Sequence, residues 1–545
     1  MDETKSDNTK LILMLKEKIK KVIKKEYLLL IFFTFVILSF IILEPISDLD
    51  EIWNYNTARA ILEGLIPYKE VSMITTPLVP LINAFFLLLL GNQVLTIRVV
   101  ASILCASILF LTFNIFRKIF KETNISLICV FLIFGLCNEF FCMDYNFFVL
   151  FLVLGIINLE LKFINIDFAK ENWNTELIQK LKWSKKRNIL IGILAGLSVC
   201  TKQSVGAFVA VITIFYPFIW LRKRKDFKDI MYCVFQRFIG ICIPNVVFLL
   251  YLVITNSFLD FIDYGVIGIS QFDNKIPYER LFEHPKKVIS ILARAIPILL
   301  IFSIFFNIFT KKNKVQNRNL CLLMIYSIPM LILMYPISDA IHFVISIYIF
   351  NIVILYLVFG IFGKWVYDKI KLKKKKKIYK IATLIIFIIM FAILTSKTIN
   401  NYFEYFKQDK NHGVEHYSNI SIEDYLIERI SEIDKYILEQ EKQGKKVYIL
   451  DSEAAVYNIP LNIYNKDYDM FLKGNIGKDG EEGLIKKVQE QAQDENALFL
   501  IRNTHNAQNW QTPMKVVNYI RENFNKVDDV SFYEVYISEG NANVR

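Results

Sequence analysis

Ser47-Asp48-Leu49-Asp50-Glu51-Ile52-Trp53-Asn54-Tyr55 follows closely on an apolar, uncharged run, Tyr27–Leu43, and carries three carboxylates in four residues. A run of that length is close to what a bilayer crossing needs. Carboxylates are costly in hydrocarbon, so the cluster marks the point where a first spanning helix leaves the membrane. Taken alone, an acidic stretch at such a place is most simply a solvated loop. The rest of the chain decides between that reading and a chemical one.

The 545 residues are 54% hydrophobic, with a mean hydropathy of +0.39 and 46 phenylalanines spread over many separate apolar runs. That is the composition of a polytopic α-helical membrane protein. The net charge of +12 does not indicate a nucleic-acid partner. Lysine and arginine gather in short runs between apolar segments, as the positive-inside rule requires of cytoplasmic loops. From Ser396 onward 18 basic side chains face 25 acidic ones, so the positive excess belongs to the membrane part. The eight cysteines all precede Ser396. Cys137 and Cys142 are close enough to consider as a pair but read as ordinary apolar-phase thiols. No cleavable signal is evident; Lys16–Lys25 before Tyr27 reads as an uncleaved signal anchor with a cytoplasmic N-terminus.

With the N-terminus inside, the first helix delivers Asp48, Asp50 and Glu51 to the outer face. Leu78–Leu90, bracketed by Thr76-Pro77 and Gly91-Asn92, is too short to span comfortably and fits an interfacial helix. Treated as juxtamembrane, it leaves Arg117-Lys118, Lys185–Arg187, Arg222–Lys225, Lys311–Lys314 and Lys371–Lys377 all inside, and gives about eleven transmembrane helices. Residues 1–26 form a basic cytoplasmic segment, 27–395 the membrane domain with its first outer loop at 44–94, and 396–545 an extracytoplasmic α/β domain. In that domain Ile420–Gln440 has helical spacing, Lys446–Leu450, Ala497–Ile501 and Phe532–Ile537 read as strands, and Thr512-Pro513 opens a helix over Met514–Asn523.

The segment Asn188–Trp220 has basic runs at both ends and Thr201-Lys202-Gln203 in its middle. Each arm is short, so the hairpin apex reaches only the outer leaflet. A lysine there either snorkels to headgroups or meets an anion. Topology collects further polar groups on the same side: Arg59, Tyr68 and Lys69, then Asp144-Tyr145, and Asp339 with His342. Carboxylates can deprotonate or orient a hydroxyl, and cationic groups can hold a phosphate as it leaves. Together they suit transfer from a lipid-linked phosphate donor. No Walker loop, HExxH motif or dinucleotide fingerprint is present. His412 and His416, four apart near the start of the tail, make a poor metal pair.

Asp50-Glu51, the aromatic-rich segment after it, Gly64, Pro67-Tyr68, Thr76-Pro77-Leu78, Pro80, Gly91 and Arg98 together resemble the first outer loop of the GT-C superfamily of membrane glycosyltransferases. That group includes protein O-mannosyltransferases and aminoarabinose transferases. The Gly192–Gly206 segment resembles the lysine-bearing hairpin of the same group. The resemblance implies an inverting transferase that takes a sugar from a polyprenyl-phosphate donor to an acceptor glycan, lipid or protein on the extracytoplasmic face. It implies Asp50 as the catalytic carboxylate with Glu51 beside it, Lys202 as a donor-phosphate contact and Arg98 as a structural or phosphate group. Thr75-Thr76 stand where relatives often carry charged or histidine residues, so the acceptor is left open. A divalent metal among Asp50, Glu51, Asp339 and His342 is compatible with the residue types, but a lipid-phosphate donor does not require one. The rival classes are a transporter or flippase of a lipid-linked or anionic substrate, and a membrane-anchored sensor. A transporter should show paired repeats and midplane polar groups, which this sequence lacks; a sensor leaves the outer-face polar groups unexplained.

Overall fold

In the computed structural model, residues 25–46, 49–120, 122–167, 176–221, 227–271, 275–309, 314–369, 373–410, 412–493, 496–504 and 511–538 are described. Asp48 and the basic run Arg222–Lys225 lie outside them. The bundle is built from α1 (Lys25–Ile41), α2 (Leu49–Leu62), α3 (Leu78–Leu90), α4 (Val94–Phe120), α5 (Thr123–Cys137), α6 (Tyr145–Asp167), α7 (Glu176–Thr201), α8 (Gln203–Leu221), α9 (Phe227–Ile254), α10 (Lys287–Phe309), α11 (Lys314–Leu331), α12 (Ala340–Ser346), α13 (Tyr348–Leu355) and α14 (Lys373–Lys407).

Each segment expected to cross the membrane is helical. By length and composition, four described helices suffice alone: Val94–Phe120, Phe227–Ile254, Lys287–Phe306 and Lys377–Lys407. A bent pair, Ala340–Ser346 with Tyr348–Gly363, makes a fifth if it is one span. Others, such as Thr123–Cys137, are apolar but shorter than a bilayer needs unaided. The helices sort by what surrounds them. Two thirds (67%) of the apolar window of α4 is buried in the bundle, against 22% for α9 and α10 and 6% for α14. The centre is therefore α4, packed among α1, α5 and α6, and the last three present apolar side chains outward, as lipid-facing helices do.

Small residues set the tightest crossing. A Cβ on Gly192 of α7 would lie 2.2 Å from the Arg237 carbonyl of α9, and one on Gly240 would lie 2.3 Å from the Ile189 carbonyl. Without side chains at these positions the backbones touch, the usual device for close helix association in lipid. The break at Lys202 is equally constrained: a Cβ on Gly206 would sit 2.3 Å from the Ser198 carbonyl, so α8 folds back directly onto the end of α7.

Beyond α14 the chain forms α15 (Asp424–Lys442), β1 (Lys446–Leu450), α16 (Ala454–Asn458), α17 (Gly480–Ala492), β2 (Ala497–Arg502), α18 (Met514–Asn523), β3 (Phe524–Val530) and β4 (Tyr533–Ser538). The sheet runs β1-β2-β4-β3, with β1 and β2 parallel and the other pairs antiparallel. Leu426, Ile430, Ile433 and Ile437 form the buried stripe of α15. Strand β3 has no counterpart in the sequence reading, because it is an exposed edge, Phe-Asn-Lys-Val-Asp-Asp-Val, whose charges give no alternating apolar pattern. At α18 the residue in the capping position is Pro513, with no side-chain cap, in place of the expected Thr512.

Candidate functional site

Helix α2 opens with Asp50 and Glu51 in its first turn, where carboxylates complement the exposed backbone N–H groups. Successive helix residues turn by about 100°, so the two neighbours go different ways. Glu51 is buried and gives one oxygen to Arg98 Nε and the other to Arg98 Nη2, both at 2.9 Å. Arg98, itself 1% exposed, also donates to the Glu44 carbonyl at 2.6 Å. This fork ties the α1–α2 connection to α4. Asp50 instead lines a cavity, with Trp53, Asn54 and Thr57 at helical spacing beneath it and Tyr145 and Met470 across from it.

Three further elements bring ionisable groups toward Asp50. Asp144 caps α6, accepting from Phe147 N–H and from Asn146 Nδ2, both at 2.8 Å. The other end of that amide, Asn146 Oδ1, accepts from Lys202 Nζ at 3.0 Å, and the ammonium lies 4.7 Å from the Tyr145 ring centre. The hairpin apex is locked beside it, where Gln203 Nε2 donates to the Ile74 and Gly265 carbonyls at 2.7 Å. Asp339 caps α12: its Oδ1 accepts from His342 N–H and meets His342 Nδ1, both at 2.8 Å. Burial favours the neutral form of Asp339, but the His342 contacts outweigh it and hold the carboxyl below its usual range.

Burial raises the Asp50 carboxyl from 3.8 to about 6; Asp144 and Asp339 push the same way, while His342 and Lys202 pull back. A carboxylate of that basicity is still mostly ionised at neutral pH and is a stronger proton acceptor than an exposed aspartate.

The structure thus gathers Asp50, Asp144, Tyr145, Lys202, Asp339 and His342. It does not gather the others. Arg59, some 13 Å along α2 from Asp50, is fully buried against the C-terminal domain. Its Nη1 donates to the Ile459 carbonyl at 3.0 Å and to Asn462 Oδ1 at 2.9 Å, and its guanidinium lies 4.1 Å from the Tyr464 ring centre. Tyr68 is a core residue of the first loop, packed on Phe261 and donating to the Thr75 carbonyl at 2.7 Å. Lys69 is exposed, and only its carbonyl is engaged, by Lys466 Nζ at 2.8 Å. Arg98 and Glu51 satisfy each other. The four-residue metal set is therefore not assembled, since Glu51 is turned to Arg98; among the described residues no group of three or more His, Cys, Asp or Glu has metal-holding geometry. His416 is buried between Tyr55 and Asn462, and His412 meets the Ile420 carbonyl.

The C-terminal domain adds what the sequence reading missed. Trp53 Nε1 donates to the Ser452 carbonyl at 3.0 Å, and Asn56 Nδ2 to Asp469 Oδ2 at 2.9 Å. The Ser72 hydroxyl donates to the Lys466 carbonyl. Tyr264 OH donates to Asp467 at 2.8 Å, where Lys487 also binds at 2.6 Å. The segment 464–470 is thereby seated on α2, and Met470 reaches the Asp50 cavity. Nothing local in the sequence pairs residues some 400 positions apart.

The helical bundle with a small sheet domain seated on α2 is a fold also found in solved structures. No family model and no curated protein matches the sequence. Among solved structures, ArnT from Cupriavidus metallidurans in the apo state is similar with a TM-score of 0.56 at 10% identity, over 92% of this chain and 95% of that one. The same protein bound to undecaprenyl phosphate gives 0.53 at 10% identity over 94% and 97%. The oligosaccharyltransferase of Archaeoglobus fulgidus in the apo form gives 0.51 at 11% identity over 88% and 69%. The likeness is one of fold, and it agrees with the class the first-loop resemblance pointed to.

Proposed function

We propose that the chain is an integral membrane glycosyltransferase that moves a sugar from a polyprenyl-phosphate donor to an acceptor hydroxyl on the extracytoplasmic face. The observation that carries this is that Tyr145 lines the Asp50 cavity and has the Lys202 ammonium 4.7 Å from its ring centre, so that a buried carboxyl raised to about 6 and a cation held at a hairpin apex flank one residue. Asp50 accepts the acceptor's proton as that oxygen attacks the anomeric carbon. The bond from that carbon to the phosphate oxygen breaks, and the electron pair stays on the departing polyprenyl phosphate, whose charge Lys202 stabilises. Asp144 and Asn146 hold the lysine in place, and the Asp339–His342 pair is assigned to orienting the sugar.

The test is binding of undecaprenyl phosphate to the purified protein in nanodiscs. Lys202→Ala is expected to weaken it by about tenfold or more, and Asp50→Asn to leave it intact while ending transfer. Equal binding by wild type and Lys202→Ala would return the lysine to headgroup snorkelling and remove the donor assignment.

A further inference from the structure

The face of α2 that carries Asp50 does not stop at the reaction cavity. Trp53, Thr57, Ser72 and Met470 line that cavity and also a second cleft, farther along α2 and closed on its far side by the 464–470 segment. The two spaces share these four residues as a common wall, one on the Asp50 side and the other toward the C-terminal domain. We propose that this second cleft is an acceptor subsite for a carbohydrate, placing a hydroxyl of the bound glycan at Asp50. The inference rests on the glycosyltransferase reading.

Three features define the ligand chemistry. The Asn465 side chain is 8% exposed, lines the cleft, and has an Nδ2 without a hydrogen-bond partner. A buried amide donor left open costs about 1–3 kcal/mol unless something meets it, so it marks a place where an acceptor oxygen belongs. Trp53 has already spent its indole N–H on Ser452, so what it offers the cleft is ring surface. Of the remaining lining, Thr57 and Glu70 are polar, Asn56 spends its amide on Asp469 and Arg59, Tyr464 adds a second ring, and only Val71 and Met470 are aliphatic. Ring surface with amide, hydroxyl and carboxylate groups suits a polyol, whose hydroxyls both donate and accept. An acyl chain would find almost no aliphatic wall. An extended peptide would find a helix and a loop where it needs a strand edge.

The loop that closes the cleft is fixed before any ligand arrives. Asp469 is tied by Asn56 Nδ2, by Asn458 Nδ2 at 2.7 Å and by Asn465 N–H at 3.0 Å. The subsite is therefore preorganised, which lowers the ordering cost of binding.

Saturation-transfer NMR on the full-length protein in nanodiscs tests this, with maltotetraose, chitotetraose, mannotetraose and a serine/threonine octapeptide as probes. At least one oligosaccharide is expected to bind, and its signal to fall by about fivefold or more in both Thr57→Trp and Asn465→Leu while persisting in Asp50→Asn. The two blocking substitutions enter from opposite walls, and undecaprenyl phosphate binding in the same samples reports that each variant is folded. An absent oligosaccharide signal, a signal indifferent to both substitutions, or peptide binding that both abolish would overturn the subsite. If that happens while phosphate-lipid binding still depends on Lys202, the glycosyltransferase reading stands without it; loss of that dependence takes both down.

Discussion

Among the charged groups of the described bundle, two clusters are built on opposite plans. About 24 Å along α6 from Asp144, Glu160 pairs with Arg237 at 2.7 Å, both 2% exposed or less. Arg237 also donates to the Thr213 carbonyl at 2.9 Å and to Asn188 Oδ1 at 3.3 Å. The acid is met directly by Arg237, with Arg187 a second positive charge within its reach. At the end that carries the sheet domain, Asp50, Asp144 and Asp339 face Lys202 and His342 beside open space. Acid met by base joins helices, whereas excess acid beside a cavity is what the proposed transfer reaction would use.

The largest expected effect separates the two plans by activity. Asp50→Asn should cut transfer by about 10²–10⁴-fold, the usual worth of a positioned base, with no loss of melting temperature; an active variant would end the comparison. The second separates them by stability. Arg237→Ala should destabilise by about 3–5 kcal/mol because it strands a buried carboxylate. Replacing the pair together, Glu160→Leu with Arg237→Met, should recover most of that loss in a thermal melt. A double variant no more stable than Arg237→Ala would give the inner pair a role beyond bracing.

A smaller effect lies in the pH profile. With its carboxyl at about 6, Asp50 gains a proton as pH falls through that value, so kcat/KM should drop about tenfold per pH unit below it. A profile flat down to pH 4.5 would assign proton transfer elsewhere. The smallest concerns a third kind of acid. Asp434 in α15 is raised to about 7 by burial alone. Its folded form keeps a proton that the unfolded chain loses between about pH 4 and pH 7, so its contribution to stability falls as pH rises through that window. Asp434→Asn should remove this slope and melt about 2–4 °C above wild type at pH 8; parallel melting curves from pH 4 to 8 would contradict the assignment.

Charge in an apolar chain is conspicuous, which is why Asp50, Lys202, Asp144 and the Asp339–His342 pair could be read from the sequence. Topology alone assigns a residue to a face of the membrane; it says nothing of the direction in which a side chain turns. Arg59 and Lys69 fall into the candidate site through that gap, and Glu51 neighbours Asp50 in sequence although one helix step carries it round to Arg98. Asn465 and Met470 were invisible for a different reason: they come from a domain whose own sequence bears no catalytic motif, and they matter only because Asp469 and Arg59 fasten that domain to α2. The helical segments were legible from apolar runs, whereas β3 was lost because an exposed edge strand has no reason to alternate.

The glycine contacts of the α7–α9 crossing turn the hairpin into a ruler. Gly192 and Gly240 fix where along α9 the arm is pinned, and Gly206 against Ser198 fixes how sharply it returns. Gly196 packs the same way, a Cβ there falling 2.6 Å from the Ile241 carbonyl, so between the last pin and the apex lie only the residues from Leu197 to Thr201, and each added or removed residue would swing Lys202 by about 100° and shift it by about 1.5 Å. The reach of the lysine is thus counted out in whole residues, and the length of this arm sets where the ammonium stands.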